Sequence, residues 1–120
     1  MKKDQAREER IRDEIMVDAY GSEEQVLSWY YYLEEKLSFS FRARCIRQLA
    51  VSPLEVGEEV GVIGMPAEED CDHEMFVIID WQGRKLGVPL SQLETVGASE
   101  DAKTAVEDWH YWVAMGYEFG

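Results

Sequence analysis

The strongest constraint on the fold is a change in the spacing of apolar residues, which is helical at both ends of the chain and alternating in the middle. Ile11, Ile15 and Ala19 recur every four residues among charged residues, the spacing of a helix that buries one face. From Phe39 onward, short apolar runs separated by turn residues predict strands. Helical spacing returns after Ser99. The chain of 120 residues is therefore expected to be one α+β domain.

Three helices are predicted, two before the strands and one after them. Residues 11–38 are expected to hold the first two, and Ser22 with Gln25 resembles a capping box at the start of the second. A third helix is predicted over residues 99–116. Residues 1–10 are mostly charged, and we expect them to be frayed.

Five short strands are predicted within residues 41–97. The most apolar of them, residues 74–81, is followed by Gln82 and Gly83, which predict a tight hairpin turn. Five short strands with these gaps favour a small SH3-like barrel. The expected architecture is thus a single domain over residues 1–120, with two N-terminal helices, a five-stranded SH3-like barrel and one C-terminal helix.

The chain is strongly acidic, with 25 Asp and Glu against 12 Lys and Arg and a net charge of −13. A field of that sign repels phosphate backbones and anionic lipid, so we expect no nucleic acid and no membrane partner. Cations or basic partners fit it better. Two cysteines are too few for a disulfide scaffold, and no apolar stretch of a signal peptide follows the first residues. We expect a cytoplasmic protein with reduced thiols.

The charge is not spread evenly along the chain. Between Arg47 and Arg84 there is no Lys or Arg and there are nine acids, five of them within residues 66–74. Crowded carboxylates repel one another unless a cation offsets them, and calcium prefers oxygen ligands on flexible loops. The segment therefore predicts a calcium site. Its five acids are Glu68, Glu69, Asp70, Asp72 and Glu74.

The segment does not follow the EF-hand pattern. Asp70, Asp72 and Glu74 alternate, which can direct three carboxylates at one point. Counted from Asp70, however, position 6 is Met75 where an EF-hand has Gly, and position 12 is Trp81 where it has Glu. A calcium site here must have another design. A solvated acidic loop that binds nothing specific remains the alternative.

A second acidic group lies at the turn between the first two helices. Asp18, Glu23 and Glu24 could provide carboxylates beside the free carbonyls at the end of the first helix. Glu23 and Glu24 are also what a helix N-terminus favours without any metal, so both readings stay open. Two further pairs of acids are interpreted as exposed helix faces: Glu34 with Glu35, and Glu107 with Asp108.

Other chemistries have weaker signals. Cys71 and His73 suggest a transition metal, but no ligand spacing supports a zinc or copper site. No phosphate loop, nucleophile elbow or metalloprotease motif is present, so we expect no enzyme. The aromatic runs at residues 29–32 and 109–112 are expected to pack the helices on the barrel. A subset left exposed would offer a surface to a protein partner, which remains unidentified.

Seven segments together carry a family resemblance: DAYG at 18–21, WYYYLE at 29–34, FRARCI at 41–46, VIGM at 62–65, HEMFV at 73–77, VPLSQL at 88–93 and DWHYW at 108–112. They resemble the small acidic calcium-binding proteins of cyanobacteria, over nearly the whole chain from about Arg10. The resemblance implies calcium binding without EF-hands and calcium buffering in the cyanobacterial cytoplasm. It also implies a link to the calcium signal that accompanies differentiation of nitrogen-fixing cells. It does not identify the ligands.

The sequence therefore predicts a cytoplasmic calcium buffer of non-EF-hand design, without catalysis, that binds Ca²⁺. Two alternatives remain, a protein-interaction module that uses an SH3-like barrel with exposed aromatics, and a calcium sensor. The predicted metal ligands are the acids of residues 66–74 first, followed by Asp18 with Glu23 or Glu24.

Overall fold

A computed structural model describes residues 2–119 as three helices and a five-stranded antiparallel sheet, which confirms the α+β class. The helices are α1 (Gln5–Arg10), α2 (Ser22–Leu37) and α3 (Glu100–Ala114), and the strands are β1 (Phe41–Cys45), β2 (Glu59–Gly64), β3 (Phe76–Trp81), β4 (Arg84–Pro89) and β5 (Leu93–Val96). A π-helical turn, Ile11–Ile15, continues α1, and 3-10 turns lie at Glu68–Cys71 and Leu90–Gln92. None of the helices in this described part is long and apolar enough to span a bilayer.

The sheet has the strand order β4-β3-β2-β1-β5, and each neighbouring pair is antiparallel. Within residues 2–119, β4 and β5 form the two edges and do not pair with each other, so the sheet is open. The prediction of an SH3-like barrel is therefore not confirmed. Closure is not needed to bury the apolar face, because side chains of α2 and α3 join those of the strands in one core cluster.

The predicted hairpin turn is confirmed between β3 and β4. Gln82 and Gly83 have φ values of +52° and +81°. Two consecutive positive φ angles form the two-residue turn whose twist matches that of the flanking strands. Asp80 stabilises the turn, since its carboxylate accepts a hydrogen bond from the Gly83 N–H at 3.2 Å.

The start of α3 follows the prediction and the start of α2 does not. The Ser99 hydroxyl accepts a hydrogen bond from the Ala102 N–H at 3.2 Å and so caps α3. In α2 the N-cap residue is Gly21, and no side chain caps the helix. The predicted capping box of Ser22 and Gln25 is wrong, because Ser22 is already the first helical residue and its hydroxyl is one position too far along.

The N-terminal segment is more ordered than predicted. Residues 5–10, part of the segment that was expected to be frayed, form the helix α1 in the structure, whereas Met1 lies outside the described residues. Asp4 caps α1 by accepting a hydrogen bond from the Arg7 N–H at 3.1 Å. Tertiary contacts explain this helix, because Arg7 and Arg10 of α1 donate hydrogen bonds to the Asp108 carboxylate of α3.

Trp29 of α2 and Trp109 of α3 lie in the core cluster that the helices share with the sheet, whereas Tyr31 of α2 is 51% exposed. Trp29 and Trp109 are buried and meet edge to face at 5.1 Å between ring centroids. Cys45 and Cys71 are both free and buried. One interpretation of α3 is wrong: Asp108 does not lie on an exposed helix face but is fully buried, with 0% exposure, and accepts hydrogen bonds from Arg7 and Arg10.

Candidate metal site

The acidic segment between β2 and β3 is a short, folded turn. We call residues 66–74 the acidic turn. A 3-10 helix, Glu68–Cys71, forms its first half. Cys71 anchors it, because its side chain is buried and its Sγ accepts a hydrogen bond from the Phe76 N–H at 3.5 Å. The residues on either side of Cys71, Asp70 and Asp72, are exposed, so the turn presents carboxylates to solvent.

Two consecutive tyrosines of α2 fasten the acidic turn to that helix. Tyr30 donates a hydrogen bond to the Pro66 carbonyl at 2.5 Å, and Tyr31 donates one to the Glu68 carboxylate. Burial raises the pKa of Tyr30, and the hydrogen bond to Glu68 raises that of Tyr31. This role of the tyrosines was not predicted from the sequence. Three consecutive tyrosines on one helix were the available signal for hydrogen bonds to a neighbouring segment. They were interpreted only as packing residues.

A cleft of about 470 Å³ separates the first turn of α2 from the acidic turn. We call it the α2 cleft. Val26 and Leu27 form part of its apolar lining. The structure thus brings together acids from both groups that the sequence predicted as ligands. Four carboxylate side chains line the cleft: Glu23, Glu68, Glu69 and Asp72.

Glu74 lies on the other side of the acidic turn. It lines a second cleft of about 460 Å³, together with His73, Glu118 and aromatic residues of α3. Burial raises the pKa of Glu74. The alternation of Asp70, Asp72 and Glu74 therefore does not direct three carboxylates to one place, because the 3-10 turn interrupts the extended backbone that alternation assumes.

The remaining predicted ligands do not line the α2 cleft. Asp70 and Glu24 are exposed and belong to neither of the two clefts. Asp18 has a φ of +58° in the turn before α2 and accepts a hydrogen bond from the Tyr20 hydroxyl at 3.3 Å. The role of these three acids as calcium ligands therefore stays a prediction.

The donors of the α2 cleft fit a hard cation. Its charged side chains are all carboxylates, and neither cysteine nor histidine lines it. Among the described residues, Glu23, Glu68 and Glu69 form no ion pair with Lys or Arg, and Asp72 pairs only with the exposed His73 at 3.8 Å. Within residues 2–119, however, no three metal-ligating side chains already converge on one point. The ligand chemistry suits calcium, and binding would draw these side chains together.

The structure gives no support to the transition-metal alternative. Cys71 is buried, whereas the His73 side chain is 94% exposed, so the thiol and the imidazole do not face a common site. Trp29, Trp109 and Trp112 are buried in the core, so these three aromatic residues offer no surface to a protein partner.

Comparison with known proteins gives one family and two solved structures. The model of the CcbP family, described as calcium binding, matches residues 9–113. The crystal structure of Anabaena CcbP is 34% identical over 99% of this chain and 98% of that chain, with a TM-score of 0.87. A calcium-binding protein in the calcium-binding form is 34% identical over 98% and 96%, with a TM-score of 0.84. No curated protein matches the chain. The fold, the acidic clefts and the family match over most of the sequence lead to one conclusion: this chain belongs to the CcbP family of calcium-binding proteins.

Proposed function

We propose that the chain binds calcium in the α2 cleft through Glu23, Glu68, Glu69 and Asp72. The observation that carries the proposal is that acids from two separate segments line one cleft and that no Lys or Arg of the described chain offsets Glu23, Glu68 or Glu69. Membership of a calcium-binding family supports calcium as the ion. Carboxylates of this kind supply the oxygen ligands that calcium needs.

The cleft is proposed to be partly organised before calcium arrives. Tyr31 holds Glu68 through its hydroxyl, and Tyr30 holds the backbone at Pro66. We propose that Glu23, Glu69 and Asp72 approach the ion mainly by rotation of their side chains. Magnesium should compete poorly, because it demands tighter octahedral geometry and keeps its waters. Salt should weaken binding by screening the exposed carboxylates.

The other predicted acids are proposed as weaker or separate ligands. Asp70, Glu74, Asp18 and Glu24 add negative charge around the cleft, and Glu74 faces a different cleft. Any of them that ligates calcium should change the stoichiometry or the affinity when neutralised. Of these four acids, Asp70 is the one tested directly, because Asp70→Asn should weaken calcium binding less than Asp72→Asn.

We further propose that the chain acts as a cytoplasmic calcium buffer in cyanobacterial calcium signalling linked to cell differentiation, and that it has no catalytic role. Support for a buffer comes from the acidic turn, which two tyrosines already tie to α2, so that binding needs little backbone movement. Buffers change shape little on binding, whereas sensors open a new surface. Near-UV circular dichroism with calcium or chelator should be nearly superimposable. A large change would favour the sensor.

The test is a calorimetric calcium titration of chelator-stripped protein in about 0.15 M salt and millimolar magnesium. We expect a saturable isotherm that persists in both. Glu68→Gln and Asp72→Asn should each weaken the affinity about tenfold or more, because each removes a ligand charge. Asp70→Asn is the matched control, since it removes the same charge from the same turn outside the cleft.

Two results would contradict the proposal. Heat that disappears in salt or magnesium would mean only a diffuse counterion atmosphere. Equal losses for Asp70→Asn and Asp72→Asn, or a loss for Asp70→Asn alone, would move the site away from the α2 cleft.

A further inference from the structure

The N-terminal helix α1 is attached to the rest of the chain by polar contacts. None of its six residues is buried. The π-helical turn that follows is different, because it buries Ile11 and Ile15 in the core cluster. The boundary between the two kinds of attachment lies at Arg10 and Ile11, where the backbone changes from α to π hydrogen bonding.

The main attachment is a carboxylate on α3. Asp108 is fully buried and accepts two hydrogen bonds from Arg10, each at 2.8 Å, and one from Arg7 at 2.7 Å. The Tyr32 hydroxyl of α2 lies 3.4 Å from the same carboxylate. The side chains of Arg7 and Arg10 are 23% and 27% exposed. Water can therefore replace Asp108 on both guanidinium groups if α1 moves away.

A second attachment joins α1 to α3 and the segment that follows it. Glu8 accepts hydrogen bonds from the hydroxyls of Tyr111 at 2.5 Å and Tyr117 at 2.8 Å. The Tyr111 hydroxyl also accepts a hydrogen bond from the Asp4 N–H at 3.0 Å. These contacts are again polar, so α1 covers Asp108 and Tyr111 without inserting an apolar side chain between them.

A surface groove borders this part of the chain. A cleft of about 410 Å³ lies between the N-terminal segment and the end of the chain, lined by Glu8, Ile11, Trp112 and Tyr117 among others. A six-residue helix has no stability of its own in water, and each polar contact contributes little net free energy once water can replace it. Opening α1 should therefore cost much less free energy than unfolding the domain.

We infer that α1 is a releasable strap, latched by Asp108, that opens about a hinge at Arg10 and Ile11 while the remaining fold stays intact. Opening uncovers the buried Asp108 carboxylate and the Tyr111 side of α3. Ile11 and Ile15 hold the segment after the hinge, so the released part is α1 and the residues before it. No residue of the α2 cleft takes part in the latch or the hinge, and the inference is independent of the calcium site.

The test is native-state hydrogen exchange of the full chain over a series of low denaturant concentrations. We expect the amides of Glu8 to Arg10 to exchange at least about a hundredfold faster than the slowest amides of α3. Their rates should depend little on denaturant, because local opening exposes little surface. Exchange of α1 at the rate and denaturant dependence of α3 would overturn the inference, since α1 would then open only in global unfolding.

Two variants test the latch itself. Arg10→Gln should raise the exchange rate of α1 at least about tenfold, because it removes two hydrogen bonds to Asp108. Arg12→Gln is the control in the same segment. The ion pair of Arg12 is an exposed one with its neighbour Asp13 at 2.8 Å, so the variant should change that rate less than about twofold. Equal effects of the two variants, or loss of the whole fold in Arg10→Gln, would make α1 a fixed structural element and overturn the inference.

Discussion

Arg10 and Asp108 form a two-point ion pair between α1 and α3, with Nε–Oδ2 and Nη2–Oδ1 distances of 2.8 Å each. The carboxylate is fully buried, whereas the guanidinium retains access to water. The parallel geometry of such a pair gives strong, charge-assisted hydrogen bonds. The hydrogen bonds to Asp108 raise the pKa of Arg10 above its ordinary value.

Neutralising this carboxylate should destabilise the protein. Asp108→Asn removes charged hydrogen bonds to two arginines and should lower the free energy of unfolding by about 1.5–3 kcal/mol. The loss stays below that of a completely buried pair because both arginines can be hydrated. Urea denaturation measures it. The neighbouring acid provides the control: Glu107→Gln removes an exposed pair with Arg7 and should cost about 1 kcal/mol or less. Equal losses of unfolding free energy in the two variants would show that burial of Asp108 does not strengthen its ion pairs.

Replacing a leucine of α2 by alanine should destabilise the protein strongly only where that leucine is buried. Leu33 is fully buried, and Leu33→Ala should cost about 2–5 kcal/mol, since it removes buried apolar area and leaves a cavity. Leu27 lies on the same helix and is 38% exposed, so Leu27→Ala should cost about 1 kcal/mol or less. Thermal and chemical denaturation of the two variants check this difference. A similar cost at both positions would be inconsistent with the described packing.

Calcium should raise the stability of the folded chain. If the ion binds only the folded state, a free calcium concentration a hundred times the Kd adds about 2.7 kcal/mol, and a chelator reverses the gain. Thermal denaturation with and without chelator measures it. Asp72→Asn should lose most of this gain, while Asp70→Asn should keep most of it, because Asp72 lines the α2 cleft and Asp70 does not. Full calcium stabilisation of Asp72→Asn would place the ion elsewhere.

Tyr32 should make the protein sensitive to alkaline pH. Its pKa is raised to about 12, first by burial and then by the nearby charge of Asp108. The fold therefore favours the protonated phenol. Its stabilisation is complete below the ordinary pKa of 10.0 and is lost as the pH rises toward 12. Tyr32→Phe should flatten the decline of stability over this interval, measured by urea denaturation at a series of pH values. An unchanged decline would show that other groups cause it.

The candidate site was only partly predictable. Both acidic groups could be identified, because a run of carboxylates without Lys or Arg is visible in the sequence. Their arrangement could not. The 3-10 turn at Glu68–Cys71 directs Asp72 to the α2 cleft and leaves Glu74 in another, and this turn depends on the burial of Cys71 against β3. The tyrosines that hold the acidic turn come from α2, distant in sequence.

The sequence by itself determined the features whose causes are local. Apolar spacing set the order of helices and strands, Ser99 set the start of α3, and Gln82 with Gly83 set the hairpin turn. The tertiary structure alone decided whether the sheet closes, which acids share a cleft, and whether α1 is ordered. Arg10 and Asp108 are 98 residues apart, so neither the order of α1 nor the burial of Asp108 has a local signal. From the sequence alone, a charged residue is expected to be exposed to solvent. It can be buried without a large desolvation cost only where the fold pairs it with an opposite charge.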